Sequence, residues 1–239
     1  MPKETLRALW CILFPRRCFF CNAVTAVEDR LCRECAAVPE EEYVVAEPRC
    51  KHCGAAQKSC PCGGKAMFFS DVLSPYYYVQ PAFSAVRQFK FHGKREKAAQ
   101  MAEDMAKRIL DCFPDRPFDC ICYVPQTEDE MRKRGYNQSQ LLAQELSEQT
   151  GIPSCDALVK LYDTKRQQTL SSTARSGNVL GVFDVRRPGA VFEKNVLLVD
   201  DIKTTGTTLN ECAKMLRIYG ANTVIAAVFA LTKKEEPRA

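Results

Sequence analysis

Hydrophobic and polar positions change rhythm near residues 67–75. Before that point apolar residues come in short clusters between cysteines. After it, helix-like and strand-like spacings follow one another to the C-terminus. The change places a small domain at 1–70 and a larger one at 71–239. In the larger part the spacing predicts helices over 80–91 and 95–112, the second carrying Ala98, Met101, Ala102, Met105, Ile109 and Leu110 on one face. A short apolar strand over 119–124 ends at Pro125, and a polar loop runs on to Gly135. Asn137 or Ser139 then caps a helix reaching Glu148, with Leu141, Leu142 and Leu146 on its apolar side. Strands are expected over 155–159 and 182–185, around a hydrophilic, mobile segment at 163–178. A strand over 195–199, a helix over 207–219 stopped by Gly220, and a last strand over 223–230 complete the pattern. Repeated alternation of this kind predicts an α/β fold with a mostly parallel sheet flanked by helices.

Composition supports a folded chain. Of 239 residues, 46% are hydrophobic and 26% charged, and 34 basic against 29 acidic residues give a formal charge of +5. That excess neither demands nor excludes a nucleic-acid partner. No run approaches the roughly 18–20 apolar residues of a membrane span. The stretch from Ala8 to Phe14 ends in Pro15, Arg16 and Arg17, with no small-residue cleavage site, and reads as a short amphipathic helix and not as a signal peptide. A cytoplasmic location is expected.

The cysteines sharpen the picture of the small domain. The chain has 14 of them, and eight fall between Cys18 and Cys62. Cys18, Cys21, Cys32 and Cys35 follow C-x2-C-x10-C-x2-C, and Cys50, Cys53, Cys60 and Cys62 follow C-x2-C-x6-C-x-C. A pair two residues apart brings two thiolates from one tight turn to a single ion, and two such turns complete a tetrahedral zinc site. A disulfide framework would suit a secreted chain, which this is not expected to be. Sequential pairing of the knuckles, crossed pairing, and a single occupied site all fit the spacing. With eight thiolates and two Zn2+ ions the formal charge falls to about +1. His52 reads as solvated, and Cys112, Cys120, Cys122, Cys155 and Cys212 as small buried hydrophobes.

The most informative segment is Val196-Leu-Leu-Val-Asp-Asp-Ile-Lys-Thr-Thr-Gly-Thr-Thr208. A buried parallel strand delivers Asp200 and Asp201 at its C-terminal end, where open α/β sheets bind ligands. Gly206 lets backbone approach an anion. The free amides of a helix start, with the hydroxyls of Thr204, Thr205, Thr207 and Thr208, can surround a phosphate. Either feature alone is ordinary: an acidic pair begins a loop, and Thr207 caps a helix. Together, acids for sugar hydroxyls beside a phosphate cradle describe a ribose 5-phosphate site.

This segment resembles the phosphoribosyl pyrophosphate loop of the type I phosphoribosyltransferases. Arg134-Gly-Tyr-Asn-Gln138 is similar to the R-G-F-N-Q signature of the ComF family, the ComFC-like, competence-associated phosphoribosyltransferase-like proteins. Phe89-Lys90-Phe91 with Gly93, Gln167 with Leu170, then Arg175, Asn178 and Phe183, and the paired cysteines of a double zinc ribbon extend the resemblance over nearly the whole chain.

The resemblance implies a type I phosphoribosyltransferase-like fold behind an N-terminal zinc ribbon, and a reaction in which pyrophosphate leaves C1 of ribose as a nitrogen nucleophile arrives. Asp200 and Asp201 would hold the ribose hydroxyls, directly or through Mg2+. Lys203, Thr204, Thr205, Gly206, Thr207 and Thr208 would line the 5-phosphate. Arg132 and Arg134, in the pyrophosphate-side loop, would offset the leaving group's charge, so that Asp200, Asp201 and Arg134 form the catalytic set. Some residues depart from the pattern. Asp129 and Glu130 stand where basic residues are expected, and Thr204 replaces the acid of purine-salvage relatives. Lys203 is an unusual cation inside the phosphate region, its plainer reading a solvated loop side chain; Asn137 and Gln138 read as structural, and Lys165, Arg166 and Arg175 as part either of a lid or of a solvated loop. A second function remains open: a non-catalytic single-stranded DNA-binding protein of natural transformation, with a competence helicase as partner. There Arg87, Lys90, Lys94, Arg95 and Lys97 would meet phosphates while aromatics stack on bases. A third has phosphoribosyl pyrophosphate sensed instead of consumed.

Overall fold

A computed structural model describes residues 14–60, 62–64, 66–91, 94–115, 117–161 and 181–233. The expectations for residues 8–13 of the leading run, for Gly93, and for Lys165, Arg166, Gln167, Leu170, Arg175 and Asn178 lie outside the described residues.

Two helical turns, α1 (Arg33–Ala36) and α2 (Glu40–Tyr43), precede strands β1 (Asp71–Leu73) and β2 (Tyr76–Tyr77). Then come helices α3 (Ala82–Phe91) and α4 (Lys97–Cys112), strand β3 (Cys120–Tyr123), and helices α5 (Glu128–Arg134) and α6 (Gln138–Thr150). Short strands β4 (Ser154–Cys155), β5 (Leu158–Lys160) and β6 (Phe183–Val185) lead to β7 (Asn195–Lys203), α7 (Thr207–Ile218) and β8 (Thr223–Leu231). The main sheet runs in the order β1-β8-β7-β3-β4, with β2 also on β8, and every pairing in it is parallel. β5 and β6 form a separate antiparallel pair.

The sheet is mostly parallel because its central strands are apolar on both faces. In β8 every residue after Thr223 is buried. Strand periodicity then divides the core. Leu197, Val199, Ile225, Ala227 and Phe229 pack with α3, α4 and α6, while Val196, Leu198, Val224, Ala226 and Val228 pack with Leu209, Cys212, Ala213 and Leu216 of α7. On α4, Ala98, Met101, Ala102, Met105 and Ile109 form the buried stripe that the spacing predicts. Cys120, Cys122 and Cys212 are buried, as expected, whereas Cys112 and Cys155 are only partly covered.

Besides β1 and β2, which the spacing does not predict, three elements differ from the sequence reading. The expected polar loop before Gly135 is largely helix α5, with Thr127 as N-cap in a reciprocal capping box with Glu130 and Gly135 closing it in the left-handed conformation. The single strand expected over 155–159 is two, because β4 joins the main sheet and β5 turns to pair with β6. β7 continues past Val199 through both aspartates to Lys203, because β8 runs beside it to the Lys203–Leu231 pair.

The cysteine-rich part is bound to the sheet, not tethered beside it. Phe19 and Phe20, which follow the first knuckle cysteine, share one continuous core with Met101, Met105 and Phe229. Ring centroids of Phe19 and Phe229 lie 6.0 Å apart, those of Tyr76 and Phe229 5.2 Å. Burying an aromatic of this size contributes about 2–3 kcal/mol. Polar ties frame the contact: Arg30 donates to Asp104 at 2.7 Å, as does the Tyr76 hydroxyl at 2.8 Å, and Arg49 pairs with Asp71. Lys97 is buried, and its ammonium donates to the Phe19 carbonyl. Gly54 has a φ of +83°, and a Cβ there would lie 2.9 Å from Leu231, so the second knuckle touches the sheet where only glycine fits.

Candidate functional site

β7 carries Asp200 and Asp201 to the C-terminal edge of the sheet, and the chain then turns through 204–206 into α7. Gly206 makes the turn with a φ of +83° and caps the helix. The first amides of α7 have no carbonyl within the helix to bond. Thr204, Thr207 and Thr208 face the cleft that opens here, and the hydroxyls of Thr205 and Thr207 lie 2.9 Å apart. Lys203 is buried, which corrects its reading as a solvated side chain. Its arm runs under the turn, and a Cβ on Gly206 would come within 2.9 Å of it.

The cleft has a volume of about 380 Å³ and is walled by further segments, among them Ser139 of α6 and Val182 and Phe183 at β6. Lys90 enters from the last turn of α3, Val124 to Gln126 follow β3, Glu130 and Arg134 come from α5, and Lys160 comes from β5. Ser139 Oγ donates to Asp200 Oδ1 at 2.7 Å. Lys90 Nζ lies 2.8 Å from Asp201 Oδ2. Lys160 reaches both carboxylate oxygens of Glu130, at 2.8 and 2.9 Å. Burial first, and then the neighbouring charge of Asp201, push the Asp200 carboxyl up to about 7, against the opposing pull of Ser139 and Lys90. Two adjacent carboxyl groups beside an anion cradle are a place where hydroxyls or a hard cation can bind.

Of the residues picked from the sequence, Asp200, Asp201, Thr204, Thr207, Thr208 and Arg134 meet in this cleft. Arg132 does not: it is exposed on α5 and pairs with Glu128 at 3.3 Å. Glu130 is less hostile to an anion than its charge suggests, since it caps α5 and is matched by Lys160. Lys160 carried no signal in the sequence, because it belongs to a short strand brought to the cleft only by tertiary pairing. Lys90 stood in a recognised motif, but its partner Asp201 lies far along the chain and no local pattern reveals it.

Both sets of four cysteines converge, in sequential pairing. In each, the four Sγ atoms lie within 4.8 Å of one another, and neighbouring pairs sit at 3.3 to 3.6 Å. Four sulfurs at 2.3 Å from a zinc ion would be about 3.8 Å apart, so the donor sets fit. Burial raises the Cys18 and Cys50 thiols, but hydrogen bonds from nearby backbone amides outweigh it and bring both down to about 7. His52 is exposed and outside both sets.

The basic segment is largely engaged within the protein. Lys90 faces Asp201, Lys97 is buried against Phe19, and Arg95 donates to the Gly135 carbonyl at 3.0 Å while lying over the Tyr136 ring. This corrects the assignment of Lys90 and Lys97 to nucleic-acid phosphates. Among the described residues no helix is long and apolar enough to cross a membrane.

Two family models match parts of the chain. Residues 9–68 match the double zinc ribbon domain, and residues 133–239 match the phosphoribosyl transferase domain. Competence protein F of Haemophilus influenzae is 28% identical over 222 residues, spanning 88% of this chain and 95% of that protein. The DNA utilization protein YhgH of Salmonella typhimurium is 30% identical over 224 residues, spanning 88% and 94%. Competence protein ComFC of Bacillus subtilis is 29% identical over 145 residues, spanning 60% and 56%. With two four-cysteine clusters that support structural zinc, packed on a parallel sheet that ends in an acid pair and a threonine-rich turn, the chain belongs to the family of competence protein F and YhgH.

Proposed function

We propose that the cleft binds phosphoribosyl pyrophosphate with Mg2+, as a phosphoribosyltransferase site, and that the protein works in competence-associated use of DNA. The observation that carries the reading is the meeting, in one cleft, of the adjacent carboxylates of Asp200 and Asp201 with the threonine-rich start of α7. The turn from Thr204 to Thr208 holds the 5-phosphate through amides and hydroxyls. Asp200 and Asp201 hold the ribose hydroxyls, and their oxygen donors suit a hard divalent cation. When bound, Mg2+ supplies charge neutralisation for the departing pyrophosphate. Arg134, which lines the cleft, takes the same side of the ligand, and Ser139 fixes the orientation of Asp200. Calorimetric titration with phosphoribosyl pyrophosphate and Mg2+ tests the reading. Wild type binds, and the Asp200→Asn, Asp201→Asn variant does not; a folded wild type that fails to bind overturns it.

A second reading, binding of single-stranded DNA, draws support from Phe91. This side chain is 66% exposed at the end of α3, the helix that also carries exposed Arg87. An exposed aromatic in a basic segment suits a stacked base. DNA binding at this edge is compatible with ligand binding in the cleft.

A further inference from the structure

Lys90 is held in an unusual position for a surface cation. Its side chain is 19% exposed and faces an Asp201 carboxylate that is 8% exposed, at 2.8 Å. The backbone that delivers it is anchored on the preceding residue. Phe89 is fully buried, its carbonyl accepts from the Tyr136 hydroxyl, and the two rings lie 5.8 Å apart. The helix end is thus fixed, while four methylenes leave the ammonium free to travel several ångströms.

The ion pair occupies the carboxylate that a divalent cation would use. A metal ion entering alone must part Lys90 from Asp201 and leave the ammonium half-buried without its counter-charge, which is costly. An anion entering alone meets a lysine already matched by an acid. The other cleft lysine, Lys160, is likewise engaged by both oxygens of Glu130. When metal and anion arrive together, each half of the pair gains a new partner.

We propose that Lys90 is the resident counter-cation of the acid pair. It passes from Asp201 to the anionic group of the ligand as a divalent cation takes the carboxylate. Lys90 is then a positioning residue that makes metal and anion bind as one unit, and it keeps the acid pair from collecting metal in the absence of ligand. The exchange rests on the ribose-phosphate reading of the cleft, whereas the occupation of Asp201 rests on the ion pair alone.

The test uses the full-length, zinc-loaded protein and Mn2+ as the probe, followed by water-proton relaxation, first alone and then with inorganic pyrophosphate. Lys90→Met keeps the length and apolar arm of the side chain and removes the charge; Lys90→Arg keeps the charge. Lys90→Met is expected to bind Mn2+ alone about tenfold more tightly than wild type and Mn2+ with pyrophosphate about tenfold more weakly. Lys90→Arg should behave like wild type, and the gain should vanish when Asp201→Asn is added. Tighter Mn2+ binding with no pyrophosphate binding by any protein would leave the occupation standing and overturn both the exchange and the ribose-phosphate reading. Unchanged or weaker Mn2+ binding by Lys90→Met, with Lys90→Arg also unchanged, overturns the proposal whatever pyrophosphate does.

Discussion

Ser139 Oγ donates to Asp200 Oδ1 at 2.7 Å, and this bond joins the first turn of α6 to the end of β7. The segment before it is built to hold that turn still. Asn137 accepts from the amides of Ser139 and Gln140 at 3.0 and 3.3 Å and donates to the Val124 carbonyl at 3.1 Å. The side chain of Asn137 therefore caps a helix and ties it to the exit of β3. Arg134-Gly-Tyr-Asn-Gln138 serves mainly as a brace between two sheet strands and the acid pair, with Arg134 alone reaching the cleft.

Replacing Ser139 with alanine tests the brace. The Asp200 carboxylate then loses a hydrogen bond that favours its charged form, so its affinity for protons should rise. We expect affinity for phosphoribosyl pyrophosphate with Mg2+ to fall about tenfold by calorimetry, with a stability change of about 1 kcal/mol. Wild-type affinity in Ser139→Ala would mean that Asp200 needs no such orientation.

Asp200 also predicts a pH dependence of stability. Its folded-state value of about 7 lies above the ordinary 3.8, so between those values the folded chain holds a proton that the unfolded chain releases. The associated stability is complete below about 4 and is lost as pH rises through 7. Between pH 6 and pH 8 wild type should lose about 1 kcal/mol relative to Asp200→Asn, which keeps the hydrogen-bond acceptor for Ser139 and does not titrate. Urea unfolding of both proteins at the two pH values reads the difference directly, and the zinc thiolates cancel in the comparison. Parallel pH profiles would show that the carboxyl is ionised well below neutrality.

The shared aromatic core predicts that zinc stabilises more than the ribbon. Phe19 and Phe20 stand next to Cys18 and Cys21, and their rings pack on Phe229 of β8 and Tyr76 of β2. Cys18→Ser should lower the zinc content from two ions to one and reduce the unfolding temperature of the whole chain in one transition. Phe229→Ala should cost about 3–5 kcal/mol and weaken zinc retention at the first cluster. Scanning calorimetry with metal analysis decides: two independent transitions, with the upper one unmoved by Cys18→Ser, would mean that the ribbon folds by itself.

Much of this fold is readable from residue order, for definite reasons. β7 and β8 declare themselves as long, almost uninterrupted apolar runs, and α4 as a long helix with one buried stripe. α5 was hidden because none of its residues is buried, so it has no apolar stripe; its only marks are Thr127 with Glu130 at the start and Gly135 at the end. β1 and β2 are three and two residues long, too short for alternation to register. In the site, the acid pair and threonine turn are contiguous in sequence and so legible. The ion pairs Lys90–Asp201 and Lys160–Glu130 join distant segments and exist only after folding.

The same distinction governs DNA binding, where folding has removed cations that the sequence offers. Lys90 and Lys97 are spent inside the protein and Arg95 is shared with Gly135, which leaves exposed Arg87, over the Phe83 ring, and Lys94, 3.7 Å from Glu96, as the cations nearest in sequence to exposed Phe91. Two phosphate contacts on a single strand give a slope of log affinity against log salt of only about −1.4. Phe91→Ala should weaken binding of a short oligothymidylate by about 1–3 kcal/mol through lost stacking, with the salt slope unchanged. Arg87→Glu should flatten the slope. Lys97→Met, by contrast, should leave both slope and stacking as they are while lowering stability, because its ammonium serves the Phe19 carbonyl and not solvent. Fluorescence anisotropy across a salt series separates the three variants. A steep slope that falls with Lys97→Met would place DNA on a surface this fold does not expose.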